Sequence, residues 1–332
     1  MKGGEAARAD RLLQDVPEGT LAVSCPAGAP AEAVRGPLRG ETPGRGRVER
    51  YAVFPAVEAA YHVFRAPWAA FHHAALEHVL ELFYCRSGRV GWNLRGGAAL
   101  YLGAGDLAVQ SAVCCADSTM RFPLGFCEGV SFSVDLRRLE TQCPEILREA
   151  GFAPEALRRT FCEGKPAAIS AGAALEGLFA PLYDAPPALR LPYLRLKAQE
   201  LLLYLSALRP EEREMPAYVA RQTEQIRALH TLLTEHLDRR YTIEELSRRF
   251  LINTSTLKEV FKAVYGLPIA TYMKEYRVRR AMEMLRETDE SIAAVAAAVG
   301  YETQSKFTKA FKDTAGVLPS VYRRTCRDRR ET

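Results

Sequence analysis

Four side chains near the C-terminal end, Gln304, Ser305, Thr308 and Lys309, are of the types that read base edges or meet phosphates. They lie off the apolar face of a predicted helix whose inner residues are Phe307, Ala310 and Phe311. Amide, hydroxyl and ammonium groups on one rigid surface recognise a partner by hydrogen bonds and charge, with no bond made or broken. Other residues suggest different chemistry. His72, His73 and His78, with Cys85, invite a metal reading, beside which a structural or surface role stands. Cys114 and Cys115, with Cys127, could sense redox state or hold a soft metal, or serve as small apolar residues. No Ser/His/Asp arrangement and no phosphate-cradling glycine loop stands out. The sequence therefore predicts no enzyme, no catalytic residue, no metal ligand and no cofactor.

The elements that must position the four C-terminal side chains are legible around them. Ser291 to Val299 is a compact predicted helix with Ile292, Val295, Ala296 and Val299 on one face. Gly300 supplies the left-handed residue that ends it, and Thr303 can cap the next helix. Helix, turn, helix is the unit whose second helix enters the DNA major groove. The same pattern stands fifty residues earlier. Phe261-Lys262, Gly266, Pro268 and Tyr272 match Phe311-Lys312, Gly316, Pro319 and Tyr322, at offsets of 50, 50, 50, 51 and 50. An internal repeat of this kind is far harder to obtain by chance than one motif.

On these residues the chain resembles the AraC/XylS family of bacterial transcription regulators, over about a hundred residues from Ile226 to Arg324. The resemblance implies two helix-turn-helix units, about 242–265 and 291–315, joined by a long helix from roughly Ile269 to Leu285. The two reading helices would face successive major-groove segments, roughly 34 Å apart along B-DNA. In the first unit Asn253 is the cap, and the resemblance turns Ser255, Lys258 and Glu259 toward DNA. Two residues depart from the family pattern. Glu259 would be repelled by phosphate unless it accepts from a cytosine amino group. Leu251 stands where glycine is usual before the turn, and a left-handed leucine costs about 1 kcal/mol. Arg277 and Arg279 read as partners in salt bridges within the domain.

Upstream the texture is different. Residues 1–48, rich in Ala, Gly, Pro and Arg, read as a loosely ordered arm with one short helix near Arg11 to Val16. Residues 49–138 alternate short apolar runs with glycine turns, which predicts an antiparallel sandwich or barrel. The turn Gly103-Ala-Gly-Asp106 resembles that of cupin-type jelly rolls. Along these runs Tyr84, Arg86, Arg89 and Trp92 are candidates to line a cavity for an aromatic or anionic small molecule. Residues 139–209 read as helical, and the helix Leu191 to Leu208 is apolar round most of its circumference. It is predicted to lie partly at a homodimer interface. An acidic linker, 210–219, precedes the DNA domain, 220–332. The whole is α+β: a cupin-like β-sandwich sensor with a helical dimerisation segment, then an all-α domain. Leu82 to Leu205 looks like the pyochelin-regulator-type branch of the family, which implies sensing of a siderophore or another small molecule.

Charge agrees with a nucleic-acid partner. Residues 220–332 hold 21 Lys and Arg against 15 Asp and Glu, while the remainder holds 24 against 25. The excess positive charge thus sits where phosphates would be met. No run of about 18 apolar residues predicts a membrane span, and the N-terminus lacks a signal-peptide core. Eight cysteines without a CxxC pair read as reduced thiols. The expectation is a cytoplasmic, homodimeric regulator, most often an activator in this family, acting on promoter DNA with RNA polymerase. The alternative is a metal- or redox-sensing cupin-like protein, or a cupin metalloenzyme, with an appended DNA domain.

Overall fold

The computed structural model describes residues 2–26, 38–72, 75–94, 97–116, 118–163, 166–208 and 218–328. The chain divides into two compact units, Met1–Ala220 and Arg221–Thr332.

The first unit is built on two sheets. One holds β1 (Thr20–Ser24), β3 (Arg45–Phe54), β4 (Val57–Arg65), β6 (Val79–Gly88), β9 (Leu107–Ser111), β11 (Cys127–Asp135) and β12 (Ala167–Ile169), ordered β1-β3-β4-β11-β6-β9-β12. The other holds β2 (Arg39–Glu41), β5 (Trp68–His72), β7 (Val90–Asn93), β8 (Ala98–Leu102), β10 (Thr119–Arg121) and β13 (Tyr218–Val219), ordered β13-β8-β7-β10-β5-β2. Among the described residues the α-helices beside them are α1 (Lys2–Leu12), α2 (Ala112–Cys115), α3 (Leu136–Thr141), α4 (Glu145–Glu149), α5 (Pro154–Leu157), α6 (Ala173–Asp184) and α7 (Arg190–Ala207).

Strand parity sorts the side chains into two cores. Leu80, Leu82 and Tyr84 of β6 and Val130, Phe132 and Val134 of β11 face a layer of helices, with Phe179 of α6 and Leu201 of α7 among their partners. Phe83, Cys85 and Cys127 face the second sheet, against Phe71, Val90, Trp92 and Met120. A sheet covered on both faces needs apolar residues at successive positions, which is why Val79 to Cys85 reads as one nearly continuous apolar run. The architecture is a two-sheet sandwich with helices on the outer face of the larger sheet.

Three expectations change. Residues 2–26 are not a loose arm. Ala9, Leu13 and Val16 are buried, Asp10 pairs with Arg45 at 3.0 Å and Arg65 at 3.2 Å, and β1 runs parallel to β3. Low overall hydrophobicity concealed a three-residue stripe that is sufficient to dock a short helix. Second, 139–209 is no separate segment, since α3 to α7 share the core of the larger sheet. Third, the apolar band of α7 is used inside its own chain: Leu194, Leu201, Leu202 and Leu205 are buried, and Leu196, 65% exposed, is an exception. Within the expected linker, 210–217 lies outside the described residues, and Tyr218–Val219 is a strand paired with Ala98 and Ala99.

The second unit is all helical: α8 (Ala220–Glu235), α9 (Ile243–Phe250), α10 (Thr254–Tyr265), α11 (Ile269–Glu287), α12 (Ile292–Ala298), α13 (Gln304–Ala315) and α14 (Pro319–Asp328). Val278, Leu285, Val295, Val299, Phe307 and Phe311 pack α11, α12 and α13 together. Phe261, Tyr265 and Tyr272 perform the equivalent task around α10, with His230 of α8 stacked on Tyr265 at a centroid distance of 4.3 Å. Burial, with the Arg279 charge a lesser cause, lowers the His230 pKa to about 4, so the ring is neutral, and its Nε2 lies 2.8 Å from the Tyr272 hydroxyl. It is a core histidine. No helix among the described residues is long and apolar enough to cross a membrane.

Candidate nucleic-acid interface and sensor cavity

Each of the helices α10 and α13 is set by a cap at one end and a left-handed glycine at the other. In α13 the Thr303 hydroxyl accepts from the Lys306 amide at 3.3 Å, and Gly316, at φ 77°, closes the helix through a hydrogen bond to the Lys312 carbonyl. In α10 the Asn253 carboxamide oxygen accepts from the Thr256 amide at 2.8 Å, and Gly266, at φ 81°, bonds the Lys262 carbonyl. Phe307, Ala310 and Phe311 anchor one helix, and Leu257, Val260 and Phe261 the other. The opposite faces are therefore held outward by rigid packing rather than by local preference.

Those faces carry the expected residues. Gln304, Ser305 and Lys309 are exposed on α13, and Thr308 is half-buried beside them. Ser255, Lys258 and Glu259 are exposed on α10. Ser255 differs from its neighbours, because its hydroxyl donates to the Asn253 cap oxygen at 2.7 Å and so helps fix the helix start. Lys306, in the first turn of α13 and missed as a candidate, is exposed and paired with Glu302 at 2.8 Å. Its spacing of four from Glu302 was a readable signal. Arg279 pairs with Glu275 at 3.6 Å, as a salt-bridge former should. Arg277 does not: its Nη2 donates to the carbonyls of Leu237 and Arg239, both at 3.1 Å, and burial lowers its pKa.

The two turns are unequal. Gly300 adopts φ 80° between α12 and α13, and a Cβ there would stand 2.0 Å from the Leu237 carbonyl oxygen. Leu251 takes the corresponding place between α9 and α10 at φ 50°, the sole non-glycine residue with positive φ among those described, and is 84% exposed. Its side chain has little contact to lose. Leu251→Gly is expected to stabilise the second unit by up to about 0.5 kcal/mol, the left-handed strain removed less the extra freedom of an unfolded glycine. Urea unfolding of the variant would check this, and a lower midpoint would mean that Leu251 makes a contact worth more than its strain.

In the first unit the larger sheet bears a polar row on its inner face. Glu58, Ser133, Glu81 and Gln110 are consecutive cross-strand neighbours on β4, β11, β6 and β9. Arg50 bonds Glu58, the Ser133 hydroxyl donates to Glu81 at 3.1 Å, and His62 Nε2 meets the Ser131 hydroxyl at 2.8 Å. With Phe71, Phe83, Trp92 and Met120 these groups line a cavity of about 690 Å³ of atom-free space, its opening included.

Of the four expected effector contacts, only Trp92 lines that cavity. Tyr84 faces the helices and stacks on Phe179 at 4.1 Å, where burial raises its pKa. Arg86, on the same face, pairs with Glu128 at 2.8 Å and lies 4.0 Å over Tyr183. Arg89 passes over Gly103 beside Asp106, whose carboxylate fixes the turn by accepting from the Gly103 amide at 2.7 Å. The physical reason is parity, since neighbouring residues of one strand open to opposite faces. The inward polar residues were missed, although Glu81 between Leu80 and Leu82 hinted at them.

The residues considered for metal or redox chemistry do not assemble. His72 is exposed, His78 lies 3.7 Å from Asp135, and His73 is outside the described residues. Among the described residues no three His, Cys, Asp or Glu side chains converge as metal ligands. No disulfide joins any of the eight cysteines. Cys115 hydrogen-bonds carbonyls of its own turn, and burial, followed by a hydrogen bond with Cys85, pushes the Cys127 thiol well up, away from the reactive thiolate.

Comparison with known proteins gives consistent results. The family described as "Helix-turn-helix domain" matches residues 246–325. The regulator ExsA of Pseudomonas aeruginosa is 28% identical over 140 residues, 42% of this chain and 49% of that protein. The virulence regulon activator VirF of Yersinia enterocolitica is 26% identical over 297 residues, 80% of this chain and 97% of that protein. The chain spans about half or less of the length of the relatives first matched. A solved structure, the C-terminal domain of the response regulator AraT from Geobacillus stearothermophilus, is 29% identical, with a TM-score of 0.29 over 30% of this chain and 84% of that one. These relatives are regulators of transcription.

Proposed function

We propose, from the premise that the second unit contains an AraC-type helix-turn-helix domain, that this protein is a sequence-specific DNA-binding regulator of transcription. The observation that carries the reading is the pairing of α10 and α13. Each is a capped helix locked by aromatic residues, each follows a short helix, and each turns polar and basic side chains to solvent. Two such helices suit successive major-groove segments of promoter DNA. Gln304 is assigned to base edges, Lys258 and Lys309 to phosphates, and Ser255 to fixing the start of α10.

The sensor unit is read as a cupin-like jelly roll whose inter-sheet cavity takes a small effector, with RNA polymerase as the downstream partner. A homodimer would draw on exposed Leu196 of α7 and Leu189 just before it, rather than on the helix's buried band. Fluorescence anisotropy on a duplex selected by the wild type tests the DNA assignment. Gln304→Ala should lose about 1–3 kcal/mol of discrimination at particular base pairs. Lys309→Ala should weaken all duplexes alike and reduce the salt slope by about 1. Unchanged binding in both variants would remove α13 from the interface.

A further inference from the structure

We propose that the cavity between the sheets takes a small organic cation, an amine-bearing molecule with an apolar or aromatic body. This deepens the effector reading above and rests on it. The cavity lining holds two carboxylates, Glu58 and Glu81, with one guanidinium, Arg50, and the His62 ring. Glu58 and Gln110 are each only 5% exposed, yet Glu58 Oε2 and Gln110 Oε1 have no hydrogen-bond partner among the described residues. A buried carboxylate oxygen without a donor is costly, and the adjacent acceptor on Gln110 adds to the demand.

What these two acceptors lack is donors. An ammonium group brings up to three N–H donors, enough for both, and its charge strengthens each bond. An anion would face two carboxylates, and a neutral hydroxyl would bring one donor to two acceptors. The remaining walls suit the rest of such a molecule. Phe71, Phe83 and Trp92 present aromatic surface, with Phe83 and Trp92 edge-on at 5.4 Å, and an aromatic face attracts a cation while covering an apolar body. The polar row therefore binds the head of the ligand and the aromatic wall its body.

Calorimetric titration of the full-length chain near neutral pH with benzylamine, benzyl alcohol and benzoate tests this, because the three share a ring and differ in charge. Benzylamine is expected to bind at least about tenfold tighter than either isostere, the scale of one charge-assisted hydrogen bond. Glu81→Gln should abolish that preference, and Gln110→Glu should increase it, both with wild-type circular dichroism. If Glu81→Gln fails to fold, Gln110→Glu decides. Benzyl alcohol or benzoate binding as tightly as benzylamine, or no binding of any of the three, overturns the proposal. DNA binding by the same preparation is read separately. A chain that binds DNA but shows no amine preference refutes the cavity assignment alone, and one that prefers the amine but binds no DNA refutes the regulator alone.

Discussion

Replacing Leu201 and Leu205 together by aspartate is expected to unfold the first unit rather than to split a dimer. Each side chain is 1% exposed and packs in the core shared by α6, α7 and the larger sheet. Each substitution removes a buried leucine and places a carboxylate among the apolar side chains of that core. The cost is on the order of 4 kcal/mol or more per site, from lost burial, cavity and unpaired charge together. That is comparable with the whole stability of an ordinary domain. Circular dichroism of the full chain should then lose its strand contribution and keep the helical signal of the second unit, which has its own core. A double variant that melts like the wild type would show that α7 is not packed as described.

Gly300→Ala is expected to destabilise the second unit by about 2–4 kcal/mol. Two costs add. An alanine at φ 80° is strained, and its Cβ would fall 2.0 Å from the Leu237 carbonyl oxygen, a backbone atom that cannot turn aside. The same carbonyl accepts from Arg277, so displacing it also breaks a hydrogen bond behind the turn. Unfolding of the fragment 218–332 in urea measures the loss. A wild-type midpoint would mean that the turn after α12 is looser than the geometry implies. The contrast with Leu251→Gly is instructive, because the two positions correspond and the expected signs are opposite.

The helical unit was legible because its signals are local. Caps at Asn253, Ser291 and Thr303, glycines at 266, 300 and 316, and apolar residues three and four apart each act within one or two turns. The long helix was expected to end at Leu285 and runs to Glu287, a difference of fraying at its end. Leu251, standing where the resemblance expects glycine, takes the left-handed backbone at φ 50° all the same. The first unit was less legible, because its cavity depends on which strands pair. Glu58, Ser133, Glu81 and Gln110 are scattered through the sequence, and only the register of four strands sets them side by side. Tyr84 and Arg86 were picked for their types, and parity sent them to the opposite face. The breadth of the apolar band on α7 was visible, but what covers it was not, since a chain's own sheet and a second subunit leave the same pattern.

The most direct test of the central claim is selection by the full-length chain from a library of random duplexes. If α10 and α13 both read DNA, the enriched sites should hold two short conserved blocks about one helical turn apart, roughly 10–10.5 base pairs from centre to centre. Gln304→Ala should then blur one block and leave the other unchanged. A library that emerges unenriched, or conserved blocks that Gln304→Ala leaves intact, would contradict the assignment of these helices as the reading surface.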